Sequence, residues 1–193
     1  SRPVKSGQVG LLPGSRRQEV ERMLPGMLGA ARHLHSSHST TTVVAGITGL
    51  CDYKAMINRY GGPEVSLVLD DARRVIHESQ VVLTASGTAT LETGVIGRPM
   101  VIVYKTGFIT YQIARWLVKL EMIGLVNLVL GEKVLPELIQ RQATPSHMAA
   151  EVSRLLTDES YRSEVTERLR AVPSLLGGPG ASARTAEIVG QFL

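Results

Sequence analysis

A doubly wound α/β architecture, Rossmann-like with a parallel sheet, follows from three features of this 193-residue chain. Short apolar, β-branched runs alternate with stretches that carry apolar residues at helical spacing. Turns marked by glycine or proline separate them. Two of the runs pass through a glycine turn straight into a helix. Alternation of this kind implies βαβ units, hence parallel strands covered on both faces, and right-handed crossovers then favour the doubly wound sheet.

The elements are read in order. Residues 1–7 are a polar leader, and 8–12 form a short strand ended by Pro13-Gly14. Ser15 followed by Gln18 reads as a capping box. The helix it opens places Val20, Leu24, Met27, Leu28 and Ala31 on one face and fades over 35–39. Residues 40–45 are the second strand, 51–60 a helix, Gly61-Gly62-Pro63 a turn, and 65–69 the third strand. Asp70-Asp71 caps a helix over 72–77. Residues 81–84 are the fourth strand and feed the second glycine junction and a helix over 88–95. After Gly97-Arg98-Pro99 comes a fifth strand, 100–104. Residues 108–120 read as a helix and 123–129 as a sixth strand or a loop. Extra C-terminal helices are expected over 134–140, 146–156 and 160–171. A glycine-proline hinge at 177–180 precedes a last helix over 182–192. The domain therefore runs over 8–176, with 181–193 as an appended helix.

Composition narrows the function. A hydrophobic content of 44% and a charged content of 20% suit an ordinary globular domain. The net charge of +4 suits an anionic ligand or membrane face. Nucleic acid is disfavoured, because Lys and Arg are scattered and 4% aromatic content leaves little for base stacking. Cys51 is the sole cysteine, which points to a reducing compartment and a buried or semi-buried thiol without a role. No secretory leader is visible, and no apolar run reaches the roughly 18 residues of a spanning helix. The expectation is a protein that is soluble or rests on a membrane surface. His33, His35 and His38 lack a thiol or acidic partner, so they read as a solvated helix end rather than a metal site. His77 and His147 carry no pattern.

The two strand–glycine–helix junctions hold the candidate chemistry. Both would present unpaired N–H groups at the same edge of a parallel sheet, where a diphosphate could lie between them. At the first, Gly14, Ser15 and Arg16 open the helix. Arg16 either grips a phosphate bidentately or is a solvated first-turn arginine. At the second, Ser86, Gly87 and Thr88 either cradle phosphate or form a structural turn. Glu92 shares a helix face with Thr88, placed for ribose hydroxyls or simply exposed. Lys105 brings positive charge to the same sheet edge or merely ends a strand. Asn127 interrupts an apolar run, so it is a ligand contact or a loop-locking amide. Residues 108–130 mix aromatics and aliphatics with Arg115 and Lys119, as core or as a membrane-interface face. Neither G-x-G-x-x-G nor G-x-x-x-x-G-K-[ST] occurs, and no acid closes the second strand. A nucleotide-sugar binder is the class that remains.

Several ordered motifs then carry a resemblance. Leu12-Pro13-Gly14-Ser15-Arg16 with Glu19-Val20, Ala85-Ser86-Gly87-Thr88-Ala89-Thr90-Leu91-Glu92, Pro99-Met100-Val101 with Tyr104-Lys105, Asn127-Leu128, and Val134-Leu135-Pro136-Glu137-Leu138 resemble the bacterial lipid-A-disaccharide synthases. Val126 stands where that family has proline, and Val129-Leu130-Gly131 replaces its Leu-Ala-Gly. The resemblance implies the C-terminal, donor-binding half of a two-domain inverting glycosyltransferase of the GT-B type, with the N-terminal acceptor domain absent. It implies transfer of 2,3-diacylglucosamine from a UDP donor to 2,3-diacylglucosamine 1-phosphate. Arg16 and Ser86-Gly87-Thr88 would meet the diphosphate, Glu92 the ribose, and Asn127 would lie close to the UDP site. No catalytic acid or base is named on this chain, and no cofactor or metal is implied. The implied setting is the cytoplasm, peripheral to the inner membrane of a Gram-negative bacterium. The last helix would cross to the missing domain or exchange between copies, giving a homo-oligomer. Relatives of the same architecture, a muramyl-lipid N-acetylglucosaminyltransferase or a UDP-sugar 2-epimerase, and a ligand-free interaction module remain alternatives.

Overall fold

The structure is a computed structural model that describes residues 3–62, 64–105, 122–177 and 180–190. Five strands lie where the sequence places them: β1 (Gln8–Leu12), β2 (Thr41–Gly46), β3 (Val65–Leu69), β4 (Val81–Ala85) and β5 (Met100–Tyr104). A sixth, β6 (Glu137–Ile139), completes a sheet of order β3-β2-β1-β4-β5-β6. Every pairing is parallel. The chain winds outward from β1 to β3, then crosses back to place β4 on the other side of β1. Connections therefore diverge between β1 and β4, which is where open α/β sheets leave a crevice beyond their carboxyl ends.

The helices follow from caps and apolar spacing. They are α1 (Arg17–His38), α2 (Tyr53–Tyr60), α3 (Ala72–Glu78) and α4 (Thr88–Ile96). After β5 come α5 (Leu125–Leu130), α6 (Pro145–Thr157), α7 (Glu159–Leu169), α8 (Val172–Leu175) and α9 (Ala181–Gly190). Asp52, Asp71, Thr144 and Asp158 each accept a first-turn N–H, satisfying a donor that the helix leaves open. On one face α1 packs along α6, and both lie over the central strands. On the other, α3 covers β1 and β2, while α4 covers β4 and β5 and supports α5 and α8. Leu11, Leu24, Met27, Leu28, Ile76, Leu83, Met100 and Ile102 are fully buried between these layers. Each contributes about 1.5–3 kcal/mol relative to exposure.

Three readings need correction. The α1 cap is Arg16 rather than Ser15, and the reciprocal acid is Glu19 rather than Gln18. Ser15 still belongs to the turn, and Glu19, one residue further on, has the reach to fold back. Residues 123–129 contain neither a strand nor loop alone, since Leu125–Leu130 is helical and ends at Gly131 with φ 73°. An unbroken apolar run does not reveal its period, and here Val126 and Asn127 are buried while Leu125 and Leu128 are exposed. Residues 134–140 are not a helix. Pro136 disfavours one, and β5 offers an open ladder to which the Pro136 carbonyl and β6 attach. The helix expected over 108–120 and Pro63 lie outside the described residues.

Candidate functional site

The two glycine junctions meet at one place. A cleft of about 360 Å³ opens beyond the carboxyl ends of β1, β2 and β4, and both junctions line it. The first contributes Gly14, Ser15 and Arg16, and the second Ser86, Gly87 and Thr88. Small residues keep the space open: Ala45, Gly46, Ala72, Ala85 and Ala89 form its floor and walls. A larger groove, about 490 Å³, runs beside β6 and α6 between Lys133 and Tyr161. It lies at the outer edge of the sheet, where neither glycine junction reaches, so the smaller cleft is the better candidate.

The junctions differ in detail. At the first, Gly14 adopts φ 120°, a backbone that side chains disfavour. Glu19 folds back over it, accepting the Ser15 N–H at 3.0 Å and the Arg16 N–H at 3.2 Å. Its other carboxylate oxygen accepts from the Arg16 guanidinium at 2.9 Å. Arg16 is otherwise open to solvent, its side chain 81% exposed. At the second junction, Gly87 is the cap of α4 and no side chain closes the helix. Thr88 is exposed at the helix mouth. The Ser86 N–H donates to Val103, and its hydroxyl donates to the Ile123 carbonyl at 3.1 Å. That hydroxyl therefore ties the cleft lip to residues 122–124 before it meets any ligand.

Glu92 lines the cleft and pairs with Arg73 on α3 at 3.6 Å. Both partners are substantially exposed, so the contact orients more than it stabilises. The wall formed by Gly46 and Ile47 is clasped from outside. Asp70, itself at φ 58°, accepts from the Thr48 N–H at 2.9 Å and from its hydroxyl at 2.5 Å. Those two bonds hold the Asp70 carboxyl below its ordinary value of 3.8.

Lys105 and Asn127 do not line this cleft. Lys105 is exposed just after β5, one strand further from the crevice. Asn127 is wholly buried, and of its two readings the geometry gives the loop lock. Its amide exchanges two bonds with the Leu135 backbone, each 3.0 Å, and donates to Glu137 at 2.8 Å. Glu137, 4% exposed, also accepts the Ile123 and Gly124 N–H groups. No role follows from sequence for Glu19, Arg73 or Glu137, and Asp70 reads there as a cap of α3, where the cap is Asp71 and Asp70 bonds Thr48 instead. A carboxylate within a turn of a glycine junction was the available signal for Glu19; the others depend on tertiary contacts.

The family model for lipid-A-disaccharide synthetase matches residues 3–179. The chain belongs to the lipid-A-disaccharide synthase family. A family member from Anaeromyxobacter dehalogenans (strain 2CP-C) is 41% identical over 190 residues, which is 97% of this chain and 50% of that protein. The chain spans about half the length of the curated relatives it matches. Among solved structures, the calicheamicin glycosyltransferase CalG4 superposes with a TM-score of 0.64 at 20% identity, covering 97% of this chain and 43% of that one. Acinetobacter baumannii MurG gives 0.61 at 14% identity, covering 98% and 51%. The fold of this family member is thus that of one GT-B domain. Among the described residues, no helix is long and apolar enough to cross a membrane.

Proposed function

We propose that this chain is the donor-binding half of an inverting glycosyltransferase, with UDP held in the cleft between β1 and β4. The full reaction would move 2,3-diacylglucosamine from UDP-2,3-diacylglucosamine to 2,3-diacylglucosamine 1-phosphate, on the cytoplasmic face of a Gram-negative inner membrane. One observation carries the reading: both glycine junctions line a single cleft at the switch point of the sheet.

The chemistry follows from what the cleft offers. The acceptor hydroxyl attacks the anomeric carbon from one face while the bond to the diphosphate oxygen breaks on the other. The hydroxyl proton passes to a general base, which the family resemblance puts on the N-terminal, acceptor-binding half. Negative charge grows on the departing diphosphate, where the mouth of α4 and the Arg16 guanidinium are placed to receive it. Glu92, which faces Arg73 at 3.6 Å, accepts from ribose hydroxyls.

Thermal unfolding with and without UDP tests this reading. A ligand at 100 times its dissociation constant adds about 2.7 kcal/mol to the folded state. The melting temperature is expected to rise with UDP and to rise less in Arg16→Ala and Glu92→Ala. An unchanged melting temperature at millimolar UDP would favour a module that has kept the fold and lost the ligand. Competition between acylated and unacylated UDP-sugars separates the lipid-directed reading from a UDP-sugar 2-epimerase or a muramyl-lipid enzyme.

A further inference from the structure

We infer that Glu19 is the positioning residue of this cleft: it holds the Arg16 guanidinium and the Gly14–Arg16 turn in the arrangement that receives the diphosphate. The inference rests on the UDP reading above and adds to it a cleft-lining residue that acts on the ligand through its hold on the turn and on Arg16. Arg16 is the cap of α1, with an extended backbone (φ −117°, ψ 144°) and a long side chain mostly in solvent. Unrestrained, such a side chain samples many rotamers, and fixing it on binding carries an entropy penalty. Glu19 removes much of that freedom beforehand. One carboxylate oxygen bridges the Ser15 and Arg16 N–H groups, and the other accepts from Arg16 Nη1. Turn and guanidinium are thereby tied to one group.

Gly14 makes the arrangement sterically feasible. A Cβ at that position would stand 2.7 Å from both Glu19 Cβ and Glu19 Oε2. The glycine is therefore required by its backbone angle and by the returning carboxylate together. Nη1 is the guanidinium nitrogen that bonds the Glu19 carboxylate. The guanidinium edge formed by Nε and Nη2 has the fork geometry that suits a phosphate. A bound diphosphate would then extend a chain running from carboxylate to guanidinium to phosphate, in which each bond polarises the next.

The test is a double-mutant cycle read by calorimetric titration of UDP into the wild-type chain, Glu19→Ala, Glu19→Gln, Arg16→Ala and the double variant Arg16→Ala/Glu19→Ala. Loss of the charge-assisted hold should weaken UDP binding roughly five- to tenfold in Glu19→Ala. The same substitution should cost less once Arg16 is already alanine, because only the hold on the Ser15 and Arg16 N–H groups is then left to lose. Glu19→Gln keeps an acceptor for the two backbone groups and should fall between. Nitrogen relaxation of the Arg16 Nε–H, recorded without ligand, should show a more mobile guanidinium in Glu19→Ala than in the wild type. Equal mobility in the two proteins overturns the inference. So does tighter or unchanged UDP binding by Glu19→Ala, which would make the carboxylate a competitor of the ligand. Failure of the wild-type chain to bind UDP overturns the reading of the cleft, while the ligand-free relaxation still decides whether Glu19 holds Arg16.

Discussion

Asp70 shows how one residue outside the cleft shapes it. Its left-handed backbone lets the carboxylate face Thr48 and clasp the loop that carries Ile47. The Thr48 bonds favour the ionised form, so the folded-state pKa lies below the ordinary 3.8. The sign is that of a depressed carboxyl: its contribution is fully present above the unfolded value and is lost as pH falls through the folded one. Replacing Thr48 with valine removes the hydroxyl bond. It should shift the Asp70 titration upward toward 3.8, as read by carbonyl NMR shifts, and loosen residues 47–49. Residues such as Arg16 and Ser86 could be found from sequence because a glycine turn after a strand is a local signal. Asp70 could not, since two adjacent aspartates before a helix read equally well as a pair of caps. Glu19 was obscured by a shift of one residue in the cap. Asn127 stands out as a polar residue in an apolar run, but its partners, Leu135 and Glu137, lie in a segment that the sequence suggests is helical.

Among elements, α4 and α5 are closely paired at Gly94 and Val126. Gly94 lies on α4 where a Cβ would come 2.7 Å from Val126 Cγ2. On propensity alone, alanine in a helix interior gains up to about 1 kcal/mol over glycine. Here overpacking should win, and Gly94→Ala is expected to destabilise the chain by about 1–3 kcal/mol in urea unfolding. Stabilisation instead would mean that α5 moves aside freely. The contrast between β1 and β6 explains what could be read of the elements. β1 is five buried residues bounded by a proline-glycine stop, and it announces itself. β6 is three residues long and is extended because β5 offers an unsatisfied edge, a property of the neighbour rather than of Glu137–Ile139.

For the molecule as a whole, stability resides in the sheet and its two helical layers, and α9 stands apart from them. Its described side chains, 183–190, are all exposed, with Ile188 57% and Val189 52% open to solvent. The family model also stops at residue 179, before this helix. A chain ending at Gly177 should therefore keep its urea midpoint, with a change within about 0.5 kcal/mol. A larger loss would show that α9 supports the domain. The strand order was accessible in outline, because alternating strands and helices admit few windings. Which strands flank the crevice is decided by the return of the chain beside β1 after β3, a long-range choice that no local pattern encodes. That return has an evolutionary consequence. A recess whose position is set by strand ends and glycine turns is specified by the path of the backbone, so side chains elsewhere can drift while it endures. Chains that share only 14–20% of their residues with this one can accordingly preserve its architecture.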